Sequence, residues 1–172
     1  MSQTNELEIM ERIALDLEGV EESLASSFNT GAEDFNALIR PLSAAGGKRL
    51  RAQLCLLIAN AGTSVERQRI RIAEAVEMLH LATLIHDDVL DQAEIRRGED
   101  TIHMHKGNKV AILSGDYLFA KAFQIVSEMP NMKYLQIFSH IITCLVEGEF
   151  MQMEDVYRID QGIERYMTKT QK

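Results

Sequence analysis

The segment EMLHLATLIHDDVLDQ, residues 77–92, holds the chain's densest set of groups able to do chemistry. At about 100° per residue, His80, Leu84, Asp87 and Asp91 fall on one narrow helical stripe, with Glu77 and Asp88 flanking it. The rest of the circumference is Met78, Leu79, Leu81, Ala82, Ile85, Val89 and Leu90, so the helix reads as largely buried with its acids facing a cleft. The plain alternative is a solvated acidic face. Against it, Asp is a poor helix-interior residue, because its side chain competes for the backbone. Acids at i,i+3 and i,i+4 also repel one another by roughly 0.2–0.5 kcal/mol per pair. No Lys or Arg stands between Glu77 and Ile95 to relieve Asp87, Asp88 and Asp91. A cation would relieve them. Hard carboxylates one turn apart suit Mg²⁺, which keeps several waters and shares its shell with phosphate, so the stripe reads as a metal site.

Bases lie on both sides of this element. In GGKRLR, residues 46–51, Lys48 and Arg51 are expected on one face, just inside a helix start where free N–H groups and the dipole favour anions. Arg96 and Arg97 follow the acids, and guanidinium forks match phosphate oxygens. Two basic clusters around a carboxylate triad point to two phosphate groups held either side of metal ions. The formal net charge of −8 argues against a nucleic-acid surface and makes such local reversal necessary for an anionic substrate. His103 and His105 form an HxH pair that could bind zinc, but no Cys or second His pair has suitable spacing, so a polar structural role is expected. His86 and His140 read as satisfied core histidines, and Cys55 and Cys144 as buried thiols of a reducing compartment.

The elements that position these groups read as helices. Only Pro41 and Pro130 interrupt the chain, and no segment alternates with period two. Apolar positions from Leu7 to Leu24 recur at helical spacing, and a break follows at Asn29, Thr30 and Gly31. A short helix is expected before Pro41, then helices over 48–60, 65–91, 109–128, 132–156 and from Gln161 onward. Gly62, Thr63 and Ser64 separate the third from the fourth. The fold class is all-α, with long antiparallel neighbours. The acidic N-terminus lacks a secretory pattern, and the apolar stretch 135–146 falls short of the ~18 residues a spanning helix needs. A soluble, cytoplasmic protein with no membrane span is the expectation.

GGKRLR, EMLHLATLIHDDVLD, RRG, LSGDYLFAKAF and GEFMQM occur in that order. In this the chain resembles the trans-isoprenyl diphosphate synthases, or polyprenyl synthetases, over nearly its whole length. The resemblance implies the all-α terpenoid (isoprenoid) synthase bundle, usually dimeric, either as a homodimer or as a heterodimer with a small accessory subunit. It implies addition of isopentenyl diphosphate to an allylic diphosphate, farnesyl or geranylgeranyl, by Mg²⁺-assisted ionisation, condensation and elimination. Asp87 and Asp91 match the metal-holding ends of the first aspartate-rich motif, and Asp88 is its middle acid. Lys48, Arg51, His80 and Arg97 match the isopentenyl-diphosphate contacts, and Arg96 the allylic-diphosphate arginine. The position five before the first aspartate gates product length in the family; here it is Ala82, which implies a medium- or long-chain all-trans product.

The sequence departs from the family in lacking a second aspartate-rich motif: Asp100, Asp116, Asp155 and Asp160 are isolated. Lys169 and Thr170 come too early after Tyr166 to be the family's Lys-Thr pair. Residues 1–172 are therefore expected to be the N-terminal part of one synthase domain, poorly active or inactive alone. Two other readings stand beside this one. The adjacent His86 and Asp87 allow an HD-type metal phosphohydrolase, and the chain could be a non-catalytic helical fragment that only dimerises.

Overall fold

The computed structural model describes residues 3–29, 33–44, 47–62, 65–158 and 162–171, without the side chains of 3–6 and 42–44. Thr30, Gly31, Gly46, Thr63, Ser64, Asp160 and Gln161, on which expected breaks and features fall, lie outside the described residues. The described chain contains helices α1 (Gln3–Ser27), α2 (Glu33–Ala44), α3 (Leu50–Asn60), α4 (Glu66–Leu90), α5 (Ile102–Lys106), α6 (Asn108–Ser127), α7 (Lys133–Glu154) and α8 (Ile163–Thr170). It also has a two-stranded hairpin, β1 (Ile95–Arg96) and β2 (Glu99–Asp100). The chain forms two compact units, Met1–Glu128 and Met129–Lys172.

In the first unit α4 is the central element. Eleven of its residues are buried, among them Ala73, Met78, Leu79, Leu81, Ala82 and Ile85, as its apolar circumference requires. Contacts fix its neighbours' directions. Arg71 pairs with Glu128 at one end of α6, while His86 meets the Ile112 carbonyl at the other, so α4 and α6 run antiparallel. The Ala52 N–H donates to Glu77 near the start of α3, whose far end, Asn60, meets Asp16, the partner of Arg69. Hence α3 also runs against α4. The partners of α1 ascend along both helices, Asp16 with Arg69 and then Ser23 and Ser27 with Glu74, so α1 and α4 run the same way.

Several local expectations need correcting. Helix α2 does not stop at Pro41 but carries it inside and continues to Ala44. The ring removes the bond that would end on the Ala37 carbonyl, and Ala37 is exposed, so water can take that acceptor. Beyond the helix expected over 65–91 the chain forms a hairpin, although no segment of the sequence alternates with period two. Arg97 (φ 54°) and Gly98 (φ 87°) both take positive φ, as a two-residue hairpin turn demands. The short α5 escaped detection because five residues carry too little periodicity. Cys55 and Cys144 are free but only half-buried, and burial pushes the Cys55 thiol up. Among the described residues the helix long and apolar enough to cross a membrane is α6, not the stretch 135–146. Its Ala111, Gly115, Leu118, Ala122 and Ile125 are buried.

In the second unit, Asp155 at the end of α7 is buried and takes Arg165 at 3.2 Å and Lys169 at 3.7 Å from α8. Lys169 is thus engaged in tying two helices together. His140 is exposed, not a core histidine, and lies 3.6 Å from the Cys144 sulfur one turn on.

Candidate active site

The basic residues converge. Lys48, Arg51, His80 and Arg97 line one cavity of about 190 Å³, together with Gly47, Arg49, Leu50, Glu77, Leu81 and Leu84. The convergence does not arise as the i,i+3 spacing suggested. The helix begins at Leu50, so Lys48 precedes it, and Arg49 at its N-cap takes a left-handed backbone (φ 45°, ψ 39°). That turn sends the Arg49 side chain inward. Its Nε donates to Glu21 at 2.6 Å and its Nη1 lies 3.5 Å from Glu77. Burial works to lower the guanidinium's proton affinity, but the bond and charge of Glu21 and the charge of Glu77 outweigh it, so the group is held above its ordinary value. On the other side of the cavity, the positive φ of Arg97 brings its guanidinium over Gly47.

His80 stands between these bases. Burial, Arg51, Arg97 and Arg96 lower its proton affinity against the pull of Glu77. It is therefore kept as a neutral imidazole that can donate one N–H to an anion.

A second cavity of about 640 Å³ shares Leu81, Leu84 and Arg97 with the first, and is walled by Ala37, Leu38 and Pro41 of α2, Ile85 and Asp88 of α4, Arg96, and the 99–105 segment. Arg96 Nε donates to Asp88 at 2.6 Å, and Asp88 is buried. The middle acid of the triad is thus paired with an arginine on the first strand of the hairpin, ahead of its turn. Asp87 and Asp91 lie outside the walls of both cavities. Burial first, then Asp91 and Asp88, push the Asp87 carboxyl above its usual range, with Arg96 opposing.

Among the described residues, no three His, Cys, Asp or Glu side chains come together as a metal-holding group. Asp87 and Asp91 supply two hard carboxylates one turn apart, with the charge repulsion a cation would relieve. That donor set fits Mg²⁺, which is ordinarily held by one or two carboxylates with waters and substrate phosphates completing the shell. Ala82 is fully buried, one turn before His86, and is in the wall of neither cavity. His86 is turned away from Asp87: its Nε2 lies 3.2 Å from the Ile112 carbonyl and 3.4 Å from Asp116, and its ring packs on Gly115. With that nitrogen committed to α6, the pair lacks the converging ligands an HD-type hydrolase needs. His103 accepts or donates with the Thr101 hydroxyl at 2.9 Å, and His105 is exposed, 3.8 Å from Asp100.

Sequence reasoning missed Arg49 and took Glu77 for a flank of the acidic stripe. Glu77 is buried, and it accepts from the Ala52 N–H at 3.0 Å as well as facing Arg49. The available signal was an acid inside the apolar run 75–79, which has to find a base.

Residues 32–172 match the polyprenyl synthetase family. The heptaprenyl diphosphate synthase component 2 of Geobacillus stearothermophilus is 37% identical over 90% of this chain and 48% of its own length. A decaprenyl diphosphate synthase from Rhodobacter capsulatus superposes with a TM-score of 0.85 at 30% identity, over 94% of this chain and 50% of that one. A polyprenyl synthase from Caulobacter crescentus, solved with calcium and isoprenyl diphosphate, gives 0.86 at 33% identity over 92% and 50%. The chain belongs to the polyprenyl synthetase family of enzymes, and its fold is the all-α fold of the isoprenoid synthases. It spans about half the length of the curated relatives it matches.

Proposed function

We propose that this chain carries the first half of a prenyltransferase site: a basic cradle for isopentenyl diphosphate and a carboxylate pair that holds Mg²⁺ on an allylic diphosphate such as farnesyl or geranylgeranyl diphosphate. The observation that carries the reading is the convergence of Lys48, Arg51, His80 and Arg97 on one cavity beside an acid pair whose charges repel. In the cradle, the two arginines and the lysine balance a diphosphate's charge, and neutral His80 donates a hydrogen bond without adding to the repulsion among the cations. Arg96, paired with Asp88, sits where it can stabilise charge on the departing diphosphate. Bound Mg²⁺ would draw charge from that leaving group. Leu81 and Leu84, common to both cavities, supply an apolar wall that keeps water from a developing allylic cation.

No second aspartate-rich motif occurs in residues 1–172. The proposal is that a complete active site draws its remaining acids from outside these residues, in a protein that works as an assembly of two like or unlike chains in the cytoplasm. On this reading the chain alone condenses isopentenyl diphosphate with farnesyl diphosphate very slowly, because missing transition-state contacts are not replaced by water. Condensation by the 172-residue chain at the median enzyme rate of about 10 s⁻¹ would contradict that. The complete enzyme is proposed to make a medium- or long-chain product, and Ala82→Phe to shorten it. Chromatography of the products decides, and an unchanged C15 or C20 product in both proteins removes Ala82 from the proposal.

A further inference from the structure

Beneath the cradle lies a charged group that the diphosphate reading leaves without a task. Arg49 stands between Lys48 and Arg51 in sequence, yet it is buried while both neighbours are exposed. Its positive φ lies in a region costly for a side chain with a Cβ, and such strain persists only where surrounding contacts over-determine it. Here they do. The guanidinium reaches Glu21 Oε1 at 2.6 Å and Oε2 at 3.1 Å through two nitrogens, and Glu77 at 3.5 Å through the third. Glu77 in turn takes the Ala52 N–H at 3.0 Å, inside the first turn that presents Arg51. The Gln53 amide donates to the Lys48 carbonyl at 2.5 Å, holding the residue on the other side of the turn. One side chain therefore joins α1, the start of α3 and the middle of α4 at the point where the two outward bases diverge.

We propose that Arg49 is the positioning residue of the basic cradle: its inward turn and its clamp between Glu21 and Glu77 fix the angle at which Lys48 and Arg51 face the cavity. The inference rests on the diphosphate reading of that cavity. Replacement by an ordinary right-handed helical residue would let the first turn of α3 rewind, moving Lys48 and Arg51 relative to His80 and Arg97.

The decisive variant is Arg49→Gly with Glu77→Gln. Glycine accepts the left-handed backbone without penalty, glutamine still accepts the Ala52 N–H, and the pair removes one charge of each sign, so the net charge of the cavity lining is unchanged. Inorganic pyrophosphate is titrated calorimetrically into the wild-type and variant chains, and melting temperatures are read on the same samples. The expected result is a loss of affinity of about tenfold, the size of one charge-assisted hydrogen bond, in a variant that still melts cooperatively. A merely structural role moves the melting temperature and leaves the affinity within threefold, and that result overturns the inference while the diphosphate reading stands. No pyrophosphate binding by the wild-type chain overturns both. Should the double variant fail to fold, Arg49→Lys is read instead. It keeps the charge but cannot span Glu21 and Glu77, so at least threefold weaker binding supports the inference and unchanged binding overturns it.

Discussion

In its first half, α4 pairs Arg69 with Asp16 at 3.0 Å and seats Glu74 between Ser23, Ser27 and Arg71. In its second half, burial and the neighbouring Asp91 raise the cost of ionising Asp87, while burial and the arginines around His80 disfavour its charge. The same helix thus buries satisfied charges at one end and assembles opposed like charges at the other. The difference teaches which charges are scaffold and which are site. The paired groups of the first half hold the bundle; further along, Glu77 and Asp88 are paired with Arg49 and Arg96 at the cavity walls, and the groups left in mutual repulsion suit a ligand of opposite sign.

The comparison is broken most severely from the scaffold side. Arg69→Ala leaves Asp16 buried without its ion-pair partner, and chemical denaturation is expected to show a loss of about 3–5 kcal/mol. A loss below ~1 kcal/mol would say that the first half of α4 is not held by its ion pairs. Next comes the seam between α4 and α6. A methyl group at Gly115 would collide with the His86 ring, so Gly115→Ala should cost about 1–3 kcal/mol. Adding His86→Ala should recover part of it, since the obstructing ring is then gone.

On the site side the signs reverse. Without metal, Asp87→Ala and Asp91→Ala should leave stability within about 0.5 kcal/mol of wild type or slightly raise it, because a repulsion is removed. In Mg²⁺ and pyrophosphate at a hundred times their dissociation constant, wild type should gain about 2.7 kcal/mol and the variants clearly less. In a complete enzyme both substitutions should abolish condensation. Marked metal-free destabilisation of both would instead place the acids in the scaffold.

The smallest effect is a pH dependence. The folded state lowers the proton affinity of His80, so between the lowered folded value and the ordinary 6.5 the unfolded chain binds more protons. Stability relative to His80→Gln should therefore fall as pH drops from 6.5 through that window and be unaffected above it. Denaturation midpoints of both proteins across that range test this, and a wild-type stability that falls relative to the variant as pH rises through the window contradicts it.

Much of this was legible before any coordinates. The apolar circumference of 77–90 dictated a central buried helix, and the sequence limits expected for it, 65–91, fall at the two caps of α4. The cradle's members were legible as residue types, but their convergence was not. It depends on positive φ at Arg49 and Arg97, and nothing in an arginine's identity announces a left-handed backbone. The Asp88–Arg96 pair was hidden for a related reason: the relieving base lies beyond the helix, and the chain turns back at Gln92, whose φ is 53°, with the Ala93 N–H on the Asp88 carbonyl.

Whether the second half of α4 is a two-part ligand site is tested most directly by pyrophosphate titration of the chain in EDTA and again in Mg²⁺. A cradle of bases needs no metal, whereas a pair of carboxylates cannot hold an anion without one. The account expects one pyrophosphate bound in EDTA, lost on Arg51→Ala, and a second bound only with Mg²⁺, lost on Asp87→Ala. Absence of binding in both conditions, or binding indifferent to both substitutions, would contradict it.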